Sequence, residues 1–151
     1  MMKRVLITAW IVAAALIGFA AVAEAVQPAA KPFINVSTSP QRLDLGTASF
    51  PGPHNVSKAL TVQVDSNCLH GPITISATTL RHHLGDSIPP GRIFVRTKGT
   101  YGFVPMDRPV AISAPMSGPH SIVLDLQVQT GFTDLTGRYR GTFTVTVMPP
   151  V

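Results

Sequence analysis

The sequence predicts an all-β protein, an antiparallel sandwich of about eight short strands. Three observations carry that expectation. Apolar residues alternate with polar ones in one segment after another, and no stretch of the presumed mature chain sustains the 3.6-residue period of a helix. The chain holds 14 Pro and 12 Gly, most of them at the breaks between those segments, where turns belong. Beyond an N-terminal leader there is no Glu and only Lys31, Lys58 and Lys98, so two good helix formers are nearly absent.

The leader opens with Met1, Met2, Lys3 and Arg4, continues as an apolar run from Val5 to Val22, and closes on Ala23-Glu24-Ala25. A basic start, an apolar stretch and small residues at the −3 and −1 positions read as a secretory signal peptide over residues 1–25. An uncleaved anchor is the alternative, since the run approaches the length of a membrane span; the Ala-x-Ala placement favours cleavage. No Cys lies near the site to take a lipid. Cleavage leaves 126 residues with no further membrane span, enough to bury a core. Residues 26–32, with Pro28 and Pro32, are expected to be a flexible tail, and 33–151 the sandwich domain.

Along that domain, Phe33–Ser37 is expected as the first strand and Leu43–Leu45 as a short second one. Phe50-Pro51-Gly52-Pro53 reads as loop, because two prolines so close interrupt a ladder. In Lys58–Asp65, Leu60, Val62 and Val64 share a face opposite Thr61, Gln63 and Asp65, the pattern of a strand buried on one side. Ile73–Thr78 alternates in the same way after the Gly71-Pro72 turn. Arg81–Gly91 is read as irregular, Arg92–Thr97 as a strand, Lys98–Asp107 as mostly loop, and Arg108–Ser113 as a short strand. Ile122, Leu124, Leu126 and Val128 then mark a long strand. In the last one Tyr139, Gly141, Phe143, Val145 and Val147 face one way, and Arg140, Thr142, Thr144 and Thr146 the other; Thr and Val suit the pleated surface.

The run Asp134-Leu-Thr-Gly137-Arg-Tyr139 resembles the tyrosine corner of immunoglobulin-like sandwiches, where a Tyr near the start of the penultimate strand returns its hydroxyl to the upstream backbone. Gly141 stands where antibody domains carry the second Cys, and no Cys–Trp pair accompanies it, which excludes the antibody-type core. Ile34-Asn-Val36-Ser, Leu43-Asp-Leu45-Gly46-Thr and Lys58-Ala-Leu60-Thr-Val62-Gln-Val64 together resemble the opening of exported bacterial immunoglobulin-like modules. The closing Gly137-Arg-Tyr139-Arg-Gly141-Thr-Phe143-Thr-Val145-Thr-Val147 is similar to the final strand of fimbria-like and spore-coat-U-like proteins. The similar parts cover about half of the mature chain. The resemblance implies an immunoglobulin-like sandwich whose terminal strand closes or completes a sheet.

Charge and motifs narrow the functional classes. The whole chain has 12 Lys and Arg against 7 Asp and Glu, and a pI near 10.0. The basic residues are scattered singly, whereas a nucleic-acid footprint gathers them on one face, so no nucleic acid is expected. Cys68 is alone, so no intrachain disulfide forms; it is read as a buried small side chain, with pairing between chains as the alternative. His82-His83, with His70 and Asp86 nearby in sequence, suggests a metal site, but adjacent strand residues point opposite ways and the ligand spacing is not that of zinc. No metal, cofactor or catalytic residue is assigned.

The carboxylates Asp44, Asp65, Asp86, Asp107, Asp125 and Asp134 offer no evident acid–base pair for glycoside hydrolysis; Asp65 and Asp86 read as turn residues, and Asp134 as part of the corner. Cys68 with His70 lacks the motif of a thiol hydrolase, and neither a nucleophile elbow nor a phosphate loop occurs. Asn35-Val-Ser37 and Asn55-Val-Ser57 match the glycosylation sequon, which in a eukaryotic secretory pathway would mark surface loops. Tyr101, Phe103 and Met106 sit in a Gly/Pro-rich stretch and either cap the core or contact a ligand.

The expected function is that of an exported, non-catalytic structural or binding module of the cell envelope. Its partner would be another protein, or a second copy, at a sheet edge. A polysaccharide bound at the Tyr101 loop is the alternative, and a small periplasmic enzyme the remote one.

Overall fold

Eleven strands and one 3-10 turn make up the regular structure of residues 30–47 and 49–149, the part of the chain that the computed structural model describes. The expected leader and residues 26–29 of the expected tail lie outside it. The strands are β1 (Ile34–Ser39), β2 (Gly52–Ser66), β3 (Ile73–Ala77), β4 (Leu80–His82), β5 (Ser87–Ile88), β6 (Ile93–Thr97), β7 (Val104–Pro105), β8 (Val110–Ser113), β9 (His120–Thr130), β10 (Tyr139–Arg140) and β11 (Phe143–Val147); the turn is Pro90–Arg92. Every strand pairing is antiparallel, and no α-helix occurs among the described residues.

One sheet has the order β1-β2-β9-β6-β7. Its spine is the long β2–β9 ladder, where Leu60 faces Leu124 and Val62 faces Ile122. Directly opposed apolar pairs of this kind stabilise a sheet and fix its register. The other side of the protein carries two three-stranded sheets, β11-β3-β8 and β10-β4-β5. They run on from one another: the Thr78 N–H donates to the Thr142 carbonyl (2.9 Å) and the Thr142 N–H to Thr78 Oγ1 (2.8 Å) across the break. Ile73, Ile75 and Leu80 from this side join Leu60, Val62, Leu124, Leu126 and Ile93 in one buried cluster. Burying each such side chain contributes about 1.5–3 kcal/mol. The chain is thus all-β with antiparallel sheets enclosing an aliphatic core, compatible with a sandwich.

Several expectations are corrected. Leu43–Leu45 is not a strand: Asp44 Oδ1 accepts the Gly46 N–H at 2.9 Å, and this local bond replaces a ladder partner. Leu43 and Leu45 still pack against the core. β2 begins at Gly52 rather than Lys58, with Pro53 inside it opposite Gln129. Proline is tolerated there because β1 pairs only Thr61–Ser66, so Gly52–Val56 has a neighbour on one side alone.

The irregular stretch expected at Arg81–Gly91 contains the β4–β5 hairpin, and the loop expected at Lys98–Asp107 contains β7. The long final strand is broken at Gly141, where a Cβ would lie 2.5 Å from Leu80 Cδ2; only glycine lets the chain press so closely on β4. Asp65 lies within β2, not in a turn. Cys68 is half-buried, not enclosed in the core.

Candidate functional site

A groove of about 1050 Å³ lies between the two sides of the protein. Leu60 and Val128 line it from β2 and β9, Phe143 and Val145 from β11, and Leu43 and Leu45 from the segment after β1. Those last four are only half-buried although they pack on the core. On the opposite seam Met106 is buried, and Thr97 Oγ1 reaches the Ile112 carbonyl at 3.5 Å.

Among the described residues, β11 pairs with β3 and with nothing on its outer side. Thr142 and Met148 exchange backbone bonds with the chain of β3 and its flanks. By the alternation of an antiparallel ladder, the N–H and C=O groups of Phe143, Val145 and Val147 therefore point to the open edge. Thr144 and Thr146 turn exposed hydroxyls outward and carry no charge to repel a strand.

At one end of the groove lies the corner. The Tyr139 hydroxyl is 2.9 Å from the Leu135 carbonyl and also contacts the Asp86 carboxylate. Asp86 in turn accepts the Leu135 N–H (2.8 Å) and the Ser87 N–H (2.8 Å), so one carboxylate ties the β4–β5 turn to the β9–β10 loop. The Tyr139 hydroxyl, followed by the Leu135 amide, holds the Asp86 carboxyl below its usual range. Burial, then the bond to Asp86, pushes the Tyr139 phenol up to about 12.

Beside them Arg92 grips Asp134: Nη1 donates to Oδ1 at 3.0 Å, Nη2 contacts Oδ2, and Nε donates to the Gln129 carbonyl at 2.9 Å. The Gly131 N–H also reaches Asp134 Oδ2, at 2.6 Å. Arg92 is the main cause lowering the Asp134 carboxyl and is itself raised by it. These are partners that lock loops, and each carboxylate is saturated by donors.

The other sequence candidates fall in different places. His82 is buried and His83 exposed, with ring centroids 4.3 Å apart. His82 Nδ1 accepts the Leu84 N–H at 3.3 Å. His70 precedes β3 whereas His82 ends β4, so the two sit at opposite ends of the protein.

Asp125 lies buried on the outer face of the five-stranded sheet, where a bulge in β2 places Lys58 at a φ of 51°. Its Oδ1 accepts the Lys58 N–H at 2.8 Å and its Oδ2 the Arg96 Nη2–H at 2.7 Å; these bonds, in that order, lower its carboxyl. Arg96 stacks 4.5 Å over Phe103. Of the aromatic loop, then, Phe103 folds back and Met106 is core, while Tyr101 is fully exposed. Asn35 and Asn55 are exposed on β1 and β2, on strands and not in loops.

One arrangement escaped the sequence reading. His70 and His120 lie with ring centroids 5.4 Å apart and planes 18° from parallel. His70 Nδ1 is 2.7 Å from the Gly71 carbonyl and His120 Nδ1 is 3.0 Å from the Gly118 carbonyl. A carbonyl only accepts, so both Nδ1 atoms carry the proton. Each Nε2 is then a bare acceptor, buried and without a protein partner. An unsatisfied buried polar atom costs about 1–3 kcal/mol. The two histidines are 50 positions apart in the chain, and nothing in period or spacing joins them.

Among the described residues no group of three His, Cys, Asp or Glu side chains gathers where it could hold a metal ion. No protein family matches the chain, and no curated protein does so.

Proposed function

We propose that the chain is an exported, non-catalytic immunoglobulin-like module of the cell envelope that works by accepting a strand at the β11 edge. The observation that carries this reading is the conjunction of that unpaired edge with the groove beside it. A strand laid along β11 would meet the outward N–H and C=O groups of Phe143, Val145 and Val147, and its inward side chains would cover Leu43, Leu45, Phe143 and Val145. Main-chain bonds supply affinity in such pairing, and alternate side-chain pockets supply selectivity.

Two further observations support the immunoglobulin-like part. The sheet order β1-β2-β9-β6 corresponds to A-B-E-D of that fold, and β10–β11 beside β3–β4 to F beside C. The Tyr139 hydroxyl lies 2.9 Å from the upstream Leu135 carbonyl, the placement expected of a tyrosine corner. The open side of β11 is then the position that strand G takes.

The strand to test first is residues 26–30 of a neighbouring copy. Val26, Pro28 and Ala30 alternate with Gln27 and Ala29, which offers small apolar side chains on one face. The chain beginning at Val26 is passed through size-exclusion chromatography with light scattering over a range of concentrations, beside a chain beginning at Lys31. Oligomers that grow with concentration and vanish on truncation support the reading. Monomers in both at every concentration overturn it.

A second reading rests on the full exposure of Tyr101 at the β6–β7 tip: a contact to surface polysaccharide. Glycan-array binding that survives Tyr101→Ala would dismiss it.

A further inference from the structure

We infer that His70, His120 and Met116 form a site for a soft monovalent metal ion, of which Cu(I) is the type, at the end of the protein away from the Tyr139 corner. The inference does not depend on strand addition at β11.

Both imidazoles are set as ligands are set. A metal-binding histidine characteristically gives its other ring N–H to a backbone carbonyl or carboxylate, which fixes the tautomer and aims the free nitrogen. His70 does this with Gly71 and His120 with Gly118, and in each the remaining Nε2 is buried and unpartnered. His70 is buried completely. The rings are close as well, with centroids 5.4 Å apart, within the span that one ion about 2.0 Å from each Nε2 can bridge.

Met116 is the third donor of the proposed site. It is the bridge partner of His70, whose N–H donates to the Met116 carbonyl at 3.1 Å. Side chains of directly opposed residues in such a bridge project to the same face. Met116 and His120 also line one pocket of about 330 Å³.

The donor set chooses the ion. Two neutral imidazoles and a thioether carry no negative charge, no carboxylate lines the pocket, and Lys98 lines it with a positive one. A divalent ion would therefore enter a half-enclosed site with nothing to offset its charge. A thioether beside imidazoles favours a soft monovalent ion. The Cys68 thiol, a competing soft donor two residues before His70, lies 3.6 Å from the Phe33 carbonyl and is not one of the three.

The test uses the full chain carrying Cys68→Ser, titrated without oxygen against Cu(I) buffered by bicinchoninate and ascorbate. One ion per chain should transfer from the chromophore. His120→Gln and Met116→Leu, at half-buried and exposed positions, should keep the circular dichroism spectrum. The first, which removes an imidazole ligand, should weaken binding at least about 100-fold and the second about tenfold, since loss of only the partners that orient a ligand already costs about 10–100-fold; His70→Gln should match the first. Failure of the Cys68→Ser chain to take up Cu(I), or uptake unchanged by both His120→Gln and Met116→Leu, overturns the site. Tighter binding of Zn(II) than of Cu(I) overturns the choice of ion.

Discussion

Gly137→Ala should be among the most damaging single-methyl additions in this protein. Gly137 has a φ of +143°, a region that side-chain-bearing residues rarely enter, and a Cβ there would lie 2.5 Å from Nε2 of the buried His82. Two costs add. Backbone strain of this kind amounts to about 1–3 kcal/mol, and forcing a methyl into a filled site to about 1–3 kcal/mol more. The imidazole has little freedom to withdraw, since His83 and Tyr139 lie 4.3 and 5.1 Å away, centroid to centroid.

The expected loss is about 2–6 kcal/mol, a large share of the 5–15 kcal/mol that holds a domain together. With a urea slope of about 2 kcal/mol/M, the unfolding midpoint should fall by about 1–3 M. His82→Ala in the same chain separates the two costs, because it removes the clash and leaves the strain. The double-mutant cycle should show a favourable coupling of about 1–3 kcal/mol. A single variant within about 0.5 kcal/mol of the parent, or a cycle that is merely additive, would refute the reasoning.

The remaining predictions concern titration. In a Tyr101→Phe chain, which leaves Tyr139 as the one tyrosine, phenolate absorbance should rise with a midpoint of about 12, because burial and Asp86 hold the phenol protonated. Since the folded value lies above the unfolded one of about 10, the stabilising contribution of Tyr139 is complete below pH 10 or so and is lost as pH climbs through the folded value; Tyr139→Phe should flatten that alkaline limb. Asp125 and Asp134 have folded values below their ordinary ones, so their contribution is complete above about pH 4 and disappears as pH falls further. Asp134→Asn should lower stability at pH 7 and make it less sensitive to pH as pH falls below about 4. A parallel acid limb in variant and parent would count against the Arg92–Asp134 lock.

The strands that the sequence revealed are those whose alternation runs unbroken. Ile122 to Val128 and Leu60 to Val64 point inward at every second residue, and these are the segments of the β2–β9 spine. Alternation misled where the ladder changes parity. Ile73, Ile75 and Ala77 face inward at odd positions, but Leu80 and His82 do so at even ones, because the chain bulges at Thr78–Thr79. A reader counting by twos loses the strand at that bulge and takes β4 for loop. Pro53 misled for another reason: whether a proline breaks a strand depends on which side lacks a neighbour, and that is a property of the assembled sheet.

The groove was legible only in part. The uncharged Thr face of β11 can be read from the sequence, but the half-burial of Leu43 and Leu45 depends on how the segment after β1 crosses the opening. The His70–His120 pair was not legible at all. Its members come from a turn and a strand end far apart in the chain, and only the His70–Met116 bridge brings them together.

The β11 edge stays open beside the groove. That open edge bears on symmetry between subunits. If the strand that fills the groove comes from residues 26–30 of a neighbour, the accepting surface and the donated segment are different parts of the same chain. Such a contact is heterologous, and a two-fold axis cannot generate it from one patch meeting itself. Each subunit then gives once and receives once. The product is a ring where the rotation per subunit closes, and otherwise a thread with one vacant groove at one end and one unused segment at the other.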